Sequence, residues 1–328
     1  MKLSLLIPVL NEQENIEMLL QAVDTAFRGL PDTELELVFI DDGSKDGTFR
    51  VLGELSRRDS RVHAVRLSRN FGSHAALQAG FQYCTGDAAA YLAADLQDPP
   101  AVLCEMLDRW RAGYPIVWAQ RDQRDEALSS RVFARVYYEI MRRFALPEMP
   151  PAGLDICMID RRVINAIVEM REKNTALFGL ILWSGFPQSF VGYTRQSRRR
   201  GKSRWTFAKK LKLVVDSLVA FSFAPIRLVT YLGIFFSMAG FAYGVFTVVN
   251  ALMGRTGVQG WASLVTLIVG MSGIQLLMLG VVAEYLWRTF DESRGRPTFI
   301  VRETIGFEVS PTPPRQSIQR REIQEAPE

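Results

Sequence analysis

Over the first 120 positions apolar residues follow two alternating rhythms. The short apolar runs Ser4–Val9, Leu35–Ile40, Val62–Leu67, Ala88–Leu92 and Ile116–Ala119 read as strands. Between them, Glu12–Phe27, Asp46–Leu55, His74–Tyr83 and Ala101–Arg111 repeat apolar residues at helical spacing. This alternation predicts βαβ units, hence an α/β fold with a mainly parallel, Rossmann-like sheet.

The pattern changes toward the C-terminus. No charged residue lies between Arg227 and Arg255, and none between Arg255 and Glu284. Each gap exceeds the ~20 apolar residues that cross a bilayer. Transmembrane helices are expected at 228–250 and 261–283, joined by a short loop at 251–260. Gly270, Ser272, Gly273 and Gly280 in the second span suit close helix packing in lipid. The remaining divisions are an α/β domain at 1–204, an interfacial amphipathic helix at 205–227, and a juxtamembrane segment with a Pro-rich, disordered tail at 284–328.

Charge adds an orientation. Lys209, Lys210, Lys212 and Arg227 precede the first span, Arg288, Arg294, Arg296 and Arg302 follow the second, and the connecting loop holds only Arg255. Positive charge marks the inner side, so the α/β domain and both termini are expected in the cytoplasm and the spans in the inner (plasma) membrane. The opening MKLSLLIPVLNE is a first strand and not a signal peptide, because its apolar run stops at Asn11 and Glu12.

Composition narrows the chemistry. With 48% hydrophobic and 23% charged residues, the 328-residue chain is not disordered. A net charge of +4 gives no ground for a nucleic-acid partner. Cys84, Cys104 and Cys157 form no CxxC pair, and His63 and His74 are too few for a His-rich metal site.

In open α/β sheets ligands bind at the carboxyl ends of the strands. Polar clusters fall there: Asn11-Glu12, Asp41-Asp42-Gly43-Ser44, Ser68-Arg69-Asn70 and Asp95–Asp98. Asp41–Ser44 alone would be an ordinary Asx/Gly turn. Several such clusters on one edge point to a metal–nucleotide site, since Mg²⁺ takes one or two carboxylates plus substrate phosphates. Asp95 stands where such a ligand is wanted. The basic run Arg198–Trp205 reads either as a phosphate clamp built on Arg forks or as a run facing lipid headgroups.

Pro8-Val9-Leu10-Asn11-Glu12, Ile40–Thr48 and Asp95-Leu96-Gln97-Asp98-Pro99 resemble the family 2 glycosyltransferases of the GT-A fold. Ser68–Gly72, Gly201-Lys202-Ser203-Arg204-Trp205 and the paired spans are similar to the polyprenyl-phosphate glycosyltransferases, the bactoprenol glucosyltransferases and dolichyl-phosphate mannose synthases. The resemblance implies inverting transfer of a hexose from a nucleotide-sugar, UDP-glucose first, to undecaprenyl or another polyprenyl phosphate, with Mg²⁺ or Mn²⁺. GDP-mannose and UDP-N-acetylhexosamine are alternative donors. It implies nucleotide-sugar contacts from Pro8, Asn11, Glu12, Asp41, Asp42, Ser44, Arg69 and Gly72, and also from Asp95, Gln97, Arg200, Ser203 and Arg204. Asp95 and Gln97 match metal ligands and Asp155 the catalytic aspartate, with Asp95 also essential to catalysis. Arg121, Arg124, Arg131 and Arg200 match the acceptor-phosphate arginines, and a homotetramer is the implied assembly.

The chain departs from the family pattern in three places. Ala93 replaces the first carboxylate of Asp-x-Asp, and Cys157 stands where many relatives have arginine. These two departures leave open a non-catalytic nucleotide-sugar-binding protein. Arg204-Trp205 also lacks the Gln-x-x context of processive synthases.

Overall fold

The computed structural model describes residues 1–30, 32–121, 128–150, 153–170, 172, 176–194, 217–253 and 260–307. The expected alternation is present: β1 (Lys2–Val9), α1 (Ile16–Phe27), β2 (Glu34–Asp41), α2 (Thr48–Arg58), β3 (Val62–Leu67), α3 (Ser73–Tyr83), β4 (Ala88–Tyr91), α4 (Val102–Arg111) and β5 (Ile116–Arg121). There follow α5 (Leu128–Phe144), β6 (Ile156–Asp160), α6 (Arg161–Glu169), α7 (Leu177–Trp183) and β7 (Gln188–Tyr193). Two long helices, α8 (Ala224–Leu252) and α9 (Trp261–Ser293), lead to a last strand, β8 (Val301–Ile305).

All eight strands join one sheet in the order β7-β5-β6-β4-β1-β2-β3-β8. β1 pairs in parallel with β2 and β4, β2 with β3, and β5 with β7. β6 runs antiparallel between β4 and β5, and β8 antiparallel to β3. The sheet is therefore mainly parallel, with two reversed strands, both beyond the first 120 positions. Alternate strand residues feed two cores. Leu3, Leu5 and Ile7 pack with α1, α2 and α4, whereas Leu6, Val38 and Trp118 pack with α3, α6 and α7.

Pro8 sits in a central strand without breaking it. The β1–β4 ladder ends at Leu6–Tyr91, so a missing N–H at Pro8 interrupts nothing on that side. At the opposite, amino-terminal edge, the buried Glu36 carboxylate accepts from the Ser4 hydroxyl, the Thr85 N–H (2.8 Å) and the Thr85 hydroxyl (2.5 Å), with Lys2 at 3.2 Å.

α8 and α9 overrun the expected spans. α8 begins at Ala224 because Ser222 Oγ accepts the Ala224 N–H (3.0 Å) and Pro225 is tolerated in a first helical turn. α9 continues past Ala283 to Ser293, supported by the Glu284–Arg288 pair (3.0 Å), and stops before Gly295 at φ +59°. Stretches of both, Ala224–Phe246 and Gly270–Ser293, are long and apolar enough to cross a membrane. Large apolar side chains such as Phe235, Phe241, Leu276, Leu277 and Leu286 lie exposed along them. Exposed apolar surface on that scale marks a membrane or partner surface.

Within the juxtamembrane segment, residues 301–305 form a strand that the sequence pattern did not announce. β8 joins the sheet beside β3, with Phe299, Val301 and Phe307 packed against the second core. The five-residue strand is too short and too polar to signal itself by alternation. The tail from 308 and most of the expected interfacial helix lie outside the described residues.

Candidate active site

The loops after β1, β2 and β3 are laced into one unit by backbone donors. Asn11 adopts φ +56°, its N–H donates to Ser44 Oγ (2.9 Å), and its side-chain oxygen accepts from the Lys45 N–H (2.9 Å). Ser44 in turn donates its N–H to Asp41 Oδ1 (2.8 Å). The Glu12 N–H reaches Thr48 Oγ1 (3.0 Å). Asp42 accepts from the N–H groups of Phe71 (2.7 Å) and Gly72 (2.9 Å), tying the second loop to the third. Burial, helped by the neighbouring Asp41 charge, holds the Asp42 carboxyl above its ordinary value against those two donors.

Gly43 explains the tightness. Its φ is +74°, and a Cβ there would lie 2.6 Å from the Arg69 carbonyl carbon. Only glycine admits both the turn and the approach of the Ser68–Asn70 loop. Arg69 is exposed and stacks its guanidinium 4.4 Å from the Phe71 ring centroid. Pro8, Asn11, Glu12, Asp41, Asp42, Ser44, Arg69 and Gly72 therefore belong to one edge. Arg66, which sequence reasoning missed, joins them. It lies 3.4 Å from Asp41 without a hydrogen bond, so the fully buried Asp41 Oδ2 has no donor among the described residues and remains available to accept one.

The loop after β4 carries the expected metal ligands. Leu96 stands at φ +56°, an unusual conformation for leucine, while its side chain packs on the core. The corner brings the Gln97 N–H to Asp95 Oδ1 (3.2 Å). Among the described residues no three His, Cys, Asp or Glu side chains converge on a metal position. One carboxylate and one carboxamide oxygen nevertheless fit a Mg²⁺ or Mn²⁺ ion that takes its other ligands from a substrate diphosphate and water.

A second cluster is made by side chains from distant segments. Arg121, at the end of β5, pairs with Asp155, just before β6, at 2.7 Å. The β5–β7 register sets Tyr193 beside Arg121. The Tyr193 hydroxyl donates to the buried Asp98 (2.8 Å). Burial works against the Arg121 charge, but Asp155 and Tyr193 outweigh it and hold the guanidinium above its ordinary value. The arrangement offers a fixed cation, held by a carboxylate, beside the loop that carries Asp95.

The structure thus brings Arg121 and Asp155 together. Arg124, Arg200, Ser203 and Arg204 lie outside the described residues, as does the side chain of Arg131. Tyr193 was missed outright; Asp98 stood inside the Asp95–Asp98 cluster without a role. Cys157, by contrast, belongs to the core: it is fully buried in β6 and burial pushes its thiol up to about 12, so no charge enters the site at that position.

Residues 4–168 match the model of glycosyl transferase family 2, and residues 224–288 match the GtrB C-terminal hairpin. An uncharacterized glycosyltransferase of Synechocystis sp. is 36% identical over 94% of this chain and 98% of its own length. The bactoprenol glucosyl transferase of Shigella phage SfV is 34% identical over 92% of this chain and 98% of its own. A prophage bactoprenol glucosyl transferase homolog of Escherichia coli K12 is 33% identical, over 92% and 99% respectively. On these matches the chain is a glycosyltransferase, a member of glycosyl transferase family 2 that carries a GtrB C-terminal hairpin.

Proposed function

We propose that the protein transfers a hexose from a nucleotide-sugar, UDP-glucose first, to the phosphate of a polyprenyl lipid at the cytoplasmic face of the inner membrane, with inversion at the anomeric carbon. One observation carries the proposal. The chain leaves α9 and enters the sheet at the carboxyl end of β3, where the Ser68 N–H donates to the Ile300 oxygen (2.8 Å). The seven residues 294–300 reach at most ~25 Å even when extended. The edge holding the candidate site is therefore tied to the root of the apolar hairpin. A lipid phosphate can enter it while the lipid tail stays in the bilayer, which raises its effective concentration at the site. The bactoprenol glucosyl transferases among the relatives support the acceptor, and the arginines flanking the hairpin support the orientation.

A phosphate monoester has a second pKa of about 6 and is largely dianionic at neutral pH, so it needs little help from a base. Its oxygen attacks the anomeric carbon. The bond from that carbon to the nucleoside diphosphate breaks, and the diphosphate leaves with the electron pair. Arg121 receives the acceptor phosphate, and Asp155 orients that guanidinium. Asp41, Asp42 and the Asn11–Glu12 loop hold the nucleoside. Asp95 and Gln97 would hold Mg²⁺ or Mn²⁺, which neutralises charge on the departing diphosphate when bound.

The test is purified full-length protein with UDP-glucose, GDP-mannose or UDP-N-acetylglucosamine, Mg²⁺ or Mn²⁺, and a short polyprenyl phosphate, read by product mass. A hexosyl phospholipid from UDP-glucose is expected. A lipid product from another donor would replace the sugar assignment, and no lipid product from any donor would overturn the acceptor. Asp155→Asn is expected to lose ~10²-fold in turnover if its carboxylate also takes a proton, and much less if it only orients Arg121.

A further inference from the structure

Packing leaves one ring donor unused beside the Ser68–Gly72 loop. His74 is the second residue of α3, two positions after Gly72, whose N–H donates to Asp42 (2.9 Å). α7 starts without a side-chain cap from its own first residues, and its Leu177 N–H donates instead to His74 Nδ1 (3.2 Å). The Phe178 ring meets the imidazole edge-on, with 6.3 Å between centroids and 70° between planes. Two successive residues of α7 therefore set the orientation of the His74 ring.

A ring nitrogen that accepts carries no proton, so the neutral imidazole holds its proton on Nε2. Protein crowded around the ring keeps it below the ordinary value of 6.5, which favours that neutral form near pH 7. Among the described residues no group accepts from the Nε2–H, and the side chain stays open to solvent. Holding α7 uses Nδ1 alone, so packing does not account for the second nitrogen. α3 also begins without a side-chain cap, and its first-turn N–H groups add positive potential next to the ring. A donor in that setting selects an oxyanion over a hydroxyl.

We propose that the His74 Nε2–H is a further substrate contact of the site, donating to a phosphate oxygen of the nucleotide-sugar or of the lipid acceptor, while Nδ1 holds the start of α7. The inference rests on the reading of this edge as the substrate site.

The experiment uses the purified full-length protein with UDP-glucose, or the donor the product screen returns, and a short polyprenyl phosphate. His74→Asn keeps an oxygen where Nδ1 accepts from Leu177 but has no donor at the Nε2 position. His74→Gln brings an amide N–H near the Nε2 position and gives up the Nδ1 acceptor. His74→Asn is expected to weaken one substrate at least ~10-fold, with a melting temperature within about 2 °C of wild type. A raised acceptor KM assigns the contact to the lipid phosphate. A raised Kd for the nucleoside diphosphate, read by calorimetry without lipid, assigns it to the donor. His74→Gln should bring the affected constant back to within about threefold of wild type while lowering the melting temperature. A histidine that only caps α7 gives the reverse order, with His74→Asn near wild type and His74→Gln the more impaired. Both constants within twofold of wild type in His74→Asn, or a His74→Gln no better than His74→Asn, overturns the proposal. If the variants do not fold, ¹⁵N-imidazole spectra of the wild type decide, since the chain has two histidines. The His74 Nε2 signal should move on adding the nucleoside diphosphate or the polyprenyl phosphate, and a signal unmoved by both overturns the proposal. A wild type that binds neither substrate would instead bring down the reading of the edge itself.

Discussion

The two halves of the site are built by different means. On the proposed donor side, neighbouring loops are held by backbone N–H groups donating to Asp41, Asp42, Asn11 and Ser44. On the proposed acceptor side, side chains from distant segments pair, Arg121 with Asp155 and Tyr193 with Asp98. The first arrangement is set by turn geometry and tolerates side-chain change poorly only at special positions. The second depends on buried charge, so removing one member of a pair leaves the other uncompensated.

The sharpest way to break this contrast is Arg121→Ala. It removes the cation from a pair whose side chains are only 16% and 12% exposed. Turnover should fall ~10²–10³-fold, with a stability loss of about 2–3 kcal/mol from the carboxylate left behind. Steady-state kinetics and thermal unfolding measure both; a KM effect on the nucleotide-sugar alone would assign Arg121 to the donor half.

On the proposed donor side the largest effect is expected from backbone. Gly43→Ala combines a φ of +74° with a contact at 2.6 Å and should cost about 2–3 kcal/mol. Gly72→Ala, at φ +97° but with open space around it, should cost about 1 kcal/mol. Equal shifts in melting temperature for the two would remove the close approach of the Arg69 backbone as the cause.

Asp42→Asn tests the lacing between loops. An amide offers one acceptor where two N–H donors converge, so a loss of about 1–2 kcal/mol and a raised donor KM are expected. The acceptor KM should not move. A change in acceptor KM instead would mean that the two halves are mechanically one.

The smallest effect lies at the far edge of the sheet. Burial works to raise the Glu36 carboxyl, but Ser4, Thr85 and Lys2 outweigh it and hold it below its ordinary value of 4.5. A carboxyl lowered on folding stabilises above its unfolded pKa, and that stability is lost as pH falls through the lowered value. Glu36→Gln should therefore flatten the acid limb of the stability profile, with turnover unchanged. An unchanged acid limb would show that this network does not govern acid unfolding.

The same division decides what was legible in the sequence. Asn11-Glu12 and Asp41–Ser44 announce themselves because a turn's chemistry is local, and Gly43 does its work within a few residues. The spans announce themselves as gaps in charge. Arg121 and Asp155 were reached through family motifs, not through spacing. Tyr193 had no signal: its partner Asp98 is 95 residues away, and only the β5–β7 register places it beside Arg121. β8 was missed for the same reason, since its place depends on an edge formed more than 200 residues earlier.

That last strand has a consequence for biosynthesis. Because β8 follows the hairpin and covers β3, the catalytic unit is interrupted by its own anchor and cannot finish its sheet until both long helices have been made. Up to that moment β3 presents a bare ladder, a surface prone to self-association. Completion of the sheet therefore waits on synthesis of both long helices. A chain ended at residue 223 should aggregate more than one in which a short linker joins residue 223 to residues 294–307, and sedimentation of the two would tell them apart.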